Sequence, residues 1–361
     1  MKYLITIVFF FATFCCNAQK SIIEEIGLDT FRVTGCTPVK DQYMSGTCWS
    51  FASNSFLESE LIKKGKGQLD LSEMFVARYS MKRKIERHLQ LKGTNFFTPG
   101  GQFHDVVWVM KNYGMVPENV YTGKTKPGLQ HDHGNLDTVI SHFVKKMVND
   151  GVTKLNDKQN KFVDSVLDYY LGIVPTQFKY NGKTITPKIY LEEVLQINPD
   201  DYVEITSYTH HPFYTKFILE DKYNWTGDAY YNVTMDDFST ITDNALKHGY
   251  TVEWDGDADD ANFNFKEGLA WMPDPITDYQ QYRQQAFESE NTLLDHMMHI
   301  VGSTKDKYGT KWYYVKNSWG NNLNALSGYM FMREDYFKIR TVAIIVNKNA
   351  IPLFIRKKMS L

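Results

Sequence analysis

Three stretches of this 361-residue chain carry residue types that together can cleave an acyl bond. In Gln42-Tyr43-Met44-Ser45-Gly46-Thr47-Cys48-Trp49-Ser50-Phe51-Ala52 a thiol stands where a glycine-containing turn gives way to an apolar pattern. Phe51, Phe56, Leu57 and Leu61 fall on one stripe at helical spacing. The first turn of a helix has unpaired N–H groups and positive partial charge, so it favours thiolate over thiol and can donate to a developing oxyanion. Gln42 offers a second donor from its side-chain amide. Taken alone, Cys48 fits a buried structural cysteine at a helix start equally well. The other two stretches shift that balance. Asp295-His296-Met297-Met298-His299-Ile300-Val301-Gly302 is an apolar strand entered through a histidine, and Trp312-Tyr313-Tyr314-Val315-Lys316-Asn317-Ser318-Trp319-Gly320 is a strand ending in an asparagine. A cysteine nucleophile needs a base, and the base needs a third group to fix its tautomer. Cys48, His296 and Asn317 supply all three.

Gln42, Cys48-Trp49, His296 and Asn317-Ser318-Trp319-Gly320 match, in order, the four active-site segments of papain-like cysteine proteases. The closer resemblance is to the bleomycin hydrolase and bacterial aminopeptidase C branch. It is carried by a long insertion between Cys48 and His296, Ser45 where papain has a disulfide cysteine, Gly100-Gly101-Gln102, and a C-terminal extension. A simple papain-like protease has its histidine roughly 130 to 150 residues beyond the cysteine, and here the gap is far longer. The resemblance implies an α+β, two-lobed fold: a helical lobe over about 46–195 carrying Cys48, with an insertion at about 121–195, an antiparallel β lobe over about 196–347 carrying His296 and Asn317, and a C-terminal arm at 348–361. It further implies that Gly100 and Gly101 border the cleft and pair with the substrate backbone, that Trp319 shields the His296–Asn317 contact, and that the Leu361 carboxylate returns to meet a substrate's free α-amino group. Members of the branch are aminopeptidases that assemble as hexamers. Neither cofactor nor metal enters this chemistry. The function expected is an exported cysteine aminopeptidase acting on peptides. The alternatives are an endopeptidase with an open cleft and a non-catalytic oligomeric binding protein.

The elements that must position these residues are legible in part. Ser72 reads as the N-cap of a helix running through Ala77, Tyr79 and Met81, whose later residues Lys82, Arg83, Lys84 and Arg87 read as a solvated face. Residues 140–148 and 162–170 read as amphipathic surface helices, and Met235–Lys247 as a short helix. Strands are expected at 203–206, 250–254, 298–302, 312–316, 328–332 and 342–346, the last four forming a twisted antiparallel sheet with His296 and Asn317 on neighbouring strands. His299 has the opposite strand parity to His296, so the two cannot both face Cys48. His296 aligns with the family pattern.

Composition bounds the rest. A net charge of −2 with no long basic run gives no electrostatic footprint for nucleic acid. Lys2, an apolar run from Tyr3 to Phe14, and the small residues Cys16 and Ala18 read as a secretory signal at 1–18, cut after Ala18. That run is shorter than the ~20 residues a membrane span needs. The chain is therefore expected to be exported, periplasmic or secreted. Lipid attachment at Cys15 or Cys16 is disfavoured by the bulk of Phe14. Mature protein would keep only Cys36 and Cys48, without a disulfide. Asp255 to Asp260 mimics a calcium loop but lacks its glycine and its final glutamate. His210-His211 and the pair His131 and His133 read as surface histidines rather than metal ligands. Asn224 and Asn232 head glycosylation sequons.

Overall fold

The computed structural model describes residues 22–28 and 32–361; the expected signal, with Cys15 and Cys16, lies outside the described residues. The helix Cys48–Lys63 is the axis of the molecule. Every side chain from Trp49 to Leu61 is buried, so the apolar stripe read from the sequence understates a helix covered on all sides. Its small residues Ser50, Ala52, Ser53 and Ser55 let it lie between the sheet on one side and the helices Glu73–Gln90 and Phe103–Tyr113 on the other. Ser72 caps the first of these helices, accepting from the Phe75 N–H at 3.1 Å. Two further helices, Gly134–Asn149 and Asp157–Leu171, begin earlier than their apolar periodicity indicates. A capping box between Asn156 and Gln159 starts the second.

Among the described residues eleven strands form one sheet. Its order is 216–218, 229–232, 202–206, 341–347, 252–256, 296–305, 311–316, 329–333, 269–270 and 263–264, with 32–33 paired to 296–305. The centre is antiparallel as expected, but 202–206 pairs with 229–232, and 329–333 with 269–270, in parallel, so the sheet is mixed. Alternation along the strands assigns the two faces. Tyr202, Met297 and Ile345 join the core under the helices, while Trp254, Met298 and Ile344 join a second core with Phe238 and Ile241 of the helix Met235–Lys247. Among the described residues no helix is long and apolar enough to cross a membrane.

Past the last strand, Thr341–Asn347, the chain does not return to the cleft, contrary to the role expected of Leu361. Pro352 opens a short helix, Leu353–Lys358, whose Ile355 and the following Met359 are buried against the second core. Lys358 pairs with Asp237 at 3.0 Å, and the Leu361 N–H donates to the Arg356 carbonyl at 3.0 Å. Two apolar residues one helical turn apart hold the terminus on the sheet face opposite the helices, which outweighs any pull on its carboxylate from the cleft.

Candidate active site

A cleft of about 310 Å³ is lined by Gln42, Gly46, Cys48, Thr98, Pro99, Gly100, Gly101, Tyr223, Leu294, Asp295, His296, Met297 and Trp319. Seven of the eight expected site residues therefore meet around this one space or directly behind it; Leu361 does not. The turn before Cys48 depends on Gly46, whose φ of +63° suits glycine and whose Cβ would lie 2.7 Å from the Pro99 ring. Gly101 is required by contact: a Cβ there would sit 2.7 Å from the Trp49 indole. Trp49 in turn donates from Nε1 to the Pro99 carbonyl at 3.1 Å, tying the glycine loop to the first turn of the cysteine helix.

The histidine is held from two sides. His296 Nε2 lies 2.8 Å from Asn317 Oδ1, and the same oxygen accepts the Ser318 N–H at 2.7 Å. That second bond fixes the amide with its oxygen toward the ring, so Nε2 carries the proton and Nδ1 keeps its lone pair. Trp319 stacks on the imidazole with ring centroids 4.6 Å apart and lies edge-on to Phe265, covering the His296–Asn317 contact. His299 is engaged elsewhere, with Nδ1 2.8 Å from Ser55 Oγ. Gln42 is fixed through the same loop. Its backbone N–H donates to the Ser318 carbonyl at 2.8 Å, and the Ser318 hydroxyl donates to Gln42 Oε1 at 2.7 Å. With its oxygen occupied, the amide presents its NH₂ as a donor.

Burial governs the charges. It pushes the Cys48 thiol up to about 11, aided by the Asp255 and Asp295 carboxylates and opposed by hydrogen bonds from the Met297 and Trp49 backbone N–H groups. It also pushes His296 down to about 4 despite the bond to Asn317. The helix N-terminus thus does not by itself hold a thiolate, as its position in the sequence suggested. Each shift is that of one charge arising alone. Transfer of the proton from Cys48 to His296 creates both charges together, and their attraction offsets the loss of water. The Cys48 side chain is partly open to the cleft, which tempers the effect of burial.

Several residues of the site carried no signal of their own. Lys84, read as part of a solvated basic face, is 2% exposed and donates to the carbonyls of Thr98 (2.9 Å) and Gly100. It stiffens the glycine loop from behind. Burial pushes it down to about 8. Asp105 accepts from the Gln102 N–H and from Trp225 Nε1, both at 3.0 Å, extending that support. His131 and His133 are buried, contrary to expectation, and burial pushes them down to about 3 and about 4. His210 and His211 are partly exposed, and both direct Nε2 at the Glu220 carboxylate, at 3.2 and 2.6 Å. Asn224 and Asn232, which head the sequons, are buried with their amide nitrogens donating to backbone carbonyls, which closes both to glycans in the folded chain. Cys36 is a free thiol 3.6 Å from the Tyr329 hydroxyl.

The family model of the Peptidase C1-like family matches residues 24–360. Aminopeptidase C of Streptococcus thermophilus is 23% identical over 366 residues, covering 86% of this chain and 80% of its own. Cysteine proteinase 1, mitochondrial, of Saccharomyces cerevisiae is 23% identical over 380 residues, covering 91% of this chain and 78% of its own. Among solved structures, PepW from Lactobacillus rhamnosis superposes with a TM-score of 0.70 at 19% identity, over 92% of this chain and 85% of that one, a likeness of fold.

Proposed function

Since the chain belongs to the Peptidase C1-like family, we propose that it is a cysteine aminopeptidase that removes residues from the amino end of peptides. The observation that carries the chemistry is the His296–Asn317 pair, its tautomer set, sharing one cleft with a thiol at a helix N-terminus. The similarity to aminopeptidase C supports the exopeptidase choice. In this reading Cys48 Sγ passes its proton to His296 Nδ1 and attacks the scissile carbonyl. The carbonyl oxygen takes up the electron pair and is held by the Cys48 backbone N–H and the Gln42 amide. Collapse expels the leaving amine, which receives the proton from the His296 imidazolium, and leaves an acyl-thioester. Water, deprotonated by His296, then releases the acid and restores the thiol.

The test is hydrolysis of a free-amine aminoacyl fluorogenic substrate beside its N-acetylated twin, by wild type and by Cys48→Ser. The reading expects preference for the free amine and no turnover in the variant. Activity retained without the thiol would end it. One observation favours a second reading: the C-terminal segment leaves the cleft open, as an endopeptidase requires, and faster cleavage of the acetylated twin would select it. The reading includes export, supported by the apolar run from Tyr3 to Phe14, and assembly of several copies, supported by resemblance alone. Fractionation of expressing cells and light scattering of the purified chain test these two points.

A further inference from the structure

One acid under the cleft has no part in the chemistry of Cys48, His296 and Asn317. Asp255 lies directly across from Met297 in the antiparallel pairing of 252–256 with 296–305, and opposed residues point to the same face. Met297 lines the cleft. On its other side Asp255 pairs with Ala343, which packs with Tyr208, Tyr230 and Leu294, and Leu294 again lines the cleft. The carboxylate therefore sits beneath the wall between Met297 and Leu294. Its nearness to the nucleophile is felt in the thiol, which its charge pushes upward.

Asp255 is 0% exposed, and neither of its oxygens has a hydrogen-bond partner among the described residues. Buried carboxylates in folded proteins are paired or hydrogen-bonded, so a fully orphaned one beside a substrate cleft marks a place built for something else. Two further groups with an unpartnered atom feel its charge: Asp295, which lines the cleft and leaves Oδ2 free, and the Tyr208 hydroxyl. Burial, then the carboxylates of Asp221, Glu253, Glu204 and Asp295, hold the Asp255 proton far more tightly than usual. A positive charge brought beside it would release that proton and leave the carboxylate ionised.

The chemistry orients the substrate. His296 must protonate the leaving amine, so the leaving peptide runs out past His296 and Trp319. The acyl half then lies toward Gly100, Gly101, Tyr223 and Leu294, above Asp255. We propose that Asp255, with Asp295 at the rim, forms an acidic subsite for a substrate ammonium on the amino-terminal side of the scissile bond: the ammonium meets Asp295 in the cleft wall, and Asp255, wholly buried beneath, supplies the balancing charge. This rests on the peptidase reading above. Two sources share that chemistry, the free α-ammonium of the residue being removed and the side chain of a lysine one position before the cleaved residue. The first is favoured because the chain's own terminal carboxylate, the group expected to meet the amine, is docked on the far side of the sheet.

The experiment compares wild type with Asp255→Asn, which keeps the shape and removes the ionisable acid. Because both oxygens are already unpartnered, the substitution breaks no bond. Three comparisons are read as kcat/KM per active site, counted by titration with a neutral epoxide thiol reagent: a free-amine aminoacyl substrate, its N-acetyl twin, and N-acetyl dipeptidyl substrates with lysine or leucine before the cleaved residue. Loss of a buried carboxylate that holds an ammonium predicts a fall on the order of 10²-fold on the free-amine substrate with the acetylated twin unaffected. A fall confined to the lysine substrate assigns the same subsite to a side chain. Unchanged free-to-acetyl and lysine-to-leucine ratios overturn the proposal, as does a wild type with neither preference. A variant with no titratable Cys48 makes Asp255 structural and overturns it too. The aminopeptidase reading fails separately, when wild type shows no preference for the free amine; the lysine-to-leucine ratio then still decides the role of Asp255.

Discussion

Replacing His296 with alanine tests the claim that the thiolate exists only as half of a pair. With the imidazole gone, the proton of Cys48 has nowhere to go but solvent, and burial has pushed that thiol up to about 11. At pH 7 its thiolate fraction would be ~10⁻⁴. In the intact site the proton passes to an imidazole that burial has pushed down to about 4, an equilibrium of ~10⁻⁷ for independent groups, and charges about 4 Å apart at an effective dielectric of ~20 attract by ~4 kcal/mol, lifting the charged pair to ~10⁻⁴ at any pH between the two values. The second-order rate of alkylation by iodoacetamide, a small neutral reagent, should therefore fall by about 10²-fold at pH 5 in His296→Ala, where the variant's thiolate fraction is ~10⁻⁶, and the two rates should converge near pH 7. The profile should also change form. Wild type should react across neutral pH, whereas the variant should climb about tenfold per pH unit toward the burial-raised value. Melting curves control for folding, because the variant also removes the ring on which Trp319 stacks. A variant that alkylates at pH 5 as fast as wild type would refute the dependence on His296. A midpoint near the ordinary thiol value would instead refute burial as the cause.

Gln42→Ala should lower kcat by on the order of 10²-fold with KM little changed, since the amide serves the oxyanion and not the ground state; a change in KM alone would make it a binding residue. Deleting Lys358–Leu361 removes the buried Met359 and the Lys358–Asp237 pair, so unfolding in urea should shift by roughly 2–5 kcal/mol while the ratio of free-amine to acetylated hydrolysis stays that of wild type. His104 lies 3.1 Å from Glu204, and although burial opposes it, that carboxylate raises the imidazole to about 9. A folded value above the unfolded one means its contribution, on the order of 3 kcal/mol, is complete below about pH 6.5 and lost as pH rises through about 9. Unfolding free energies at pH 6 and pH 9.5 should differ by less in His104→Gln than in wild type.

What could be read from the sequence follows from how local each constraint is. Cys48 with its glycine turn, His296 entering a strand and Asn317 closing one are each set within a few residues of chain, because helix starts and strand ends have short-range causes. Apolar periodicity marks the helices at 134–149 and 157–171 only part-way along, whereas the start of the second is set by the polar capping pair Asn156 and Gln159, which lies outside that pattern. Lys84 was not legible, since within Lys82-Arg83-Lys84-Arg87 nothing local separates the one lysine that the loop at 98–101 folds over. Asp255 was masked by its neighbours: Asp255 to Asp260 reads as an acidic turn, whereas Asp255 itself ends a strand and gains its position from pairing with Met297, far along the chain.

The C-terminal segment shows how such an expectation goes astray. A carboxylate reaching an amine in the cleft was reasonable on length, since thirteen residues span up to ~45 Å when extended. It ignored what the segment would leave behind. Ile355 and Met359 become 0% and 2% exposed where they dock, and each fully buried side chain of this kind contributes about 1.5–3 kcal/mol. An arm lying in a water-filled cleft would forgo both burials for one ion pair, and exposed pairs are worth about 0–1 kcal/mol. Docking therefore wins for the chain alone. Selection of free amines must then come from groups the cleft already holds, and the acids at its acyl end, Asp295 in the wall with one oxygen unpartnered and Asp255 beneath it with both, are placed to answer a positive charge. A terminus that stays docked and a buried acid that recognises the amine are two halves of one argument, and truncation and Asp255→Asn separate them: the first should leave amine preference intact, the second should abolish it.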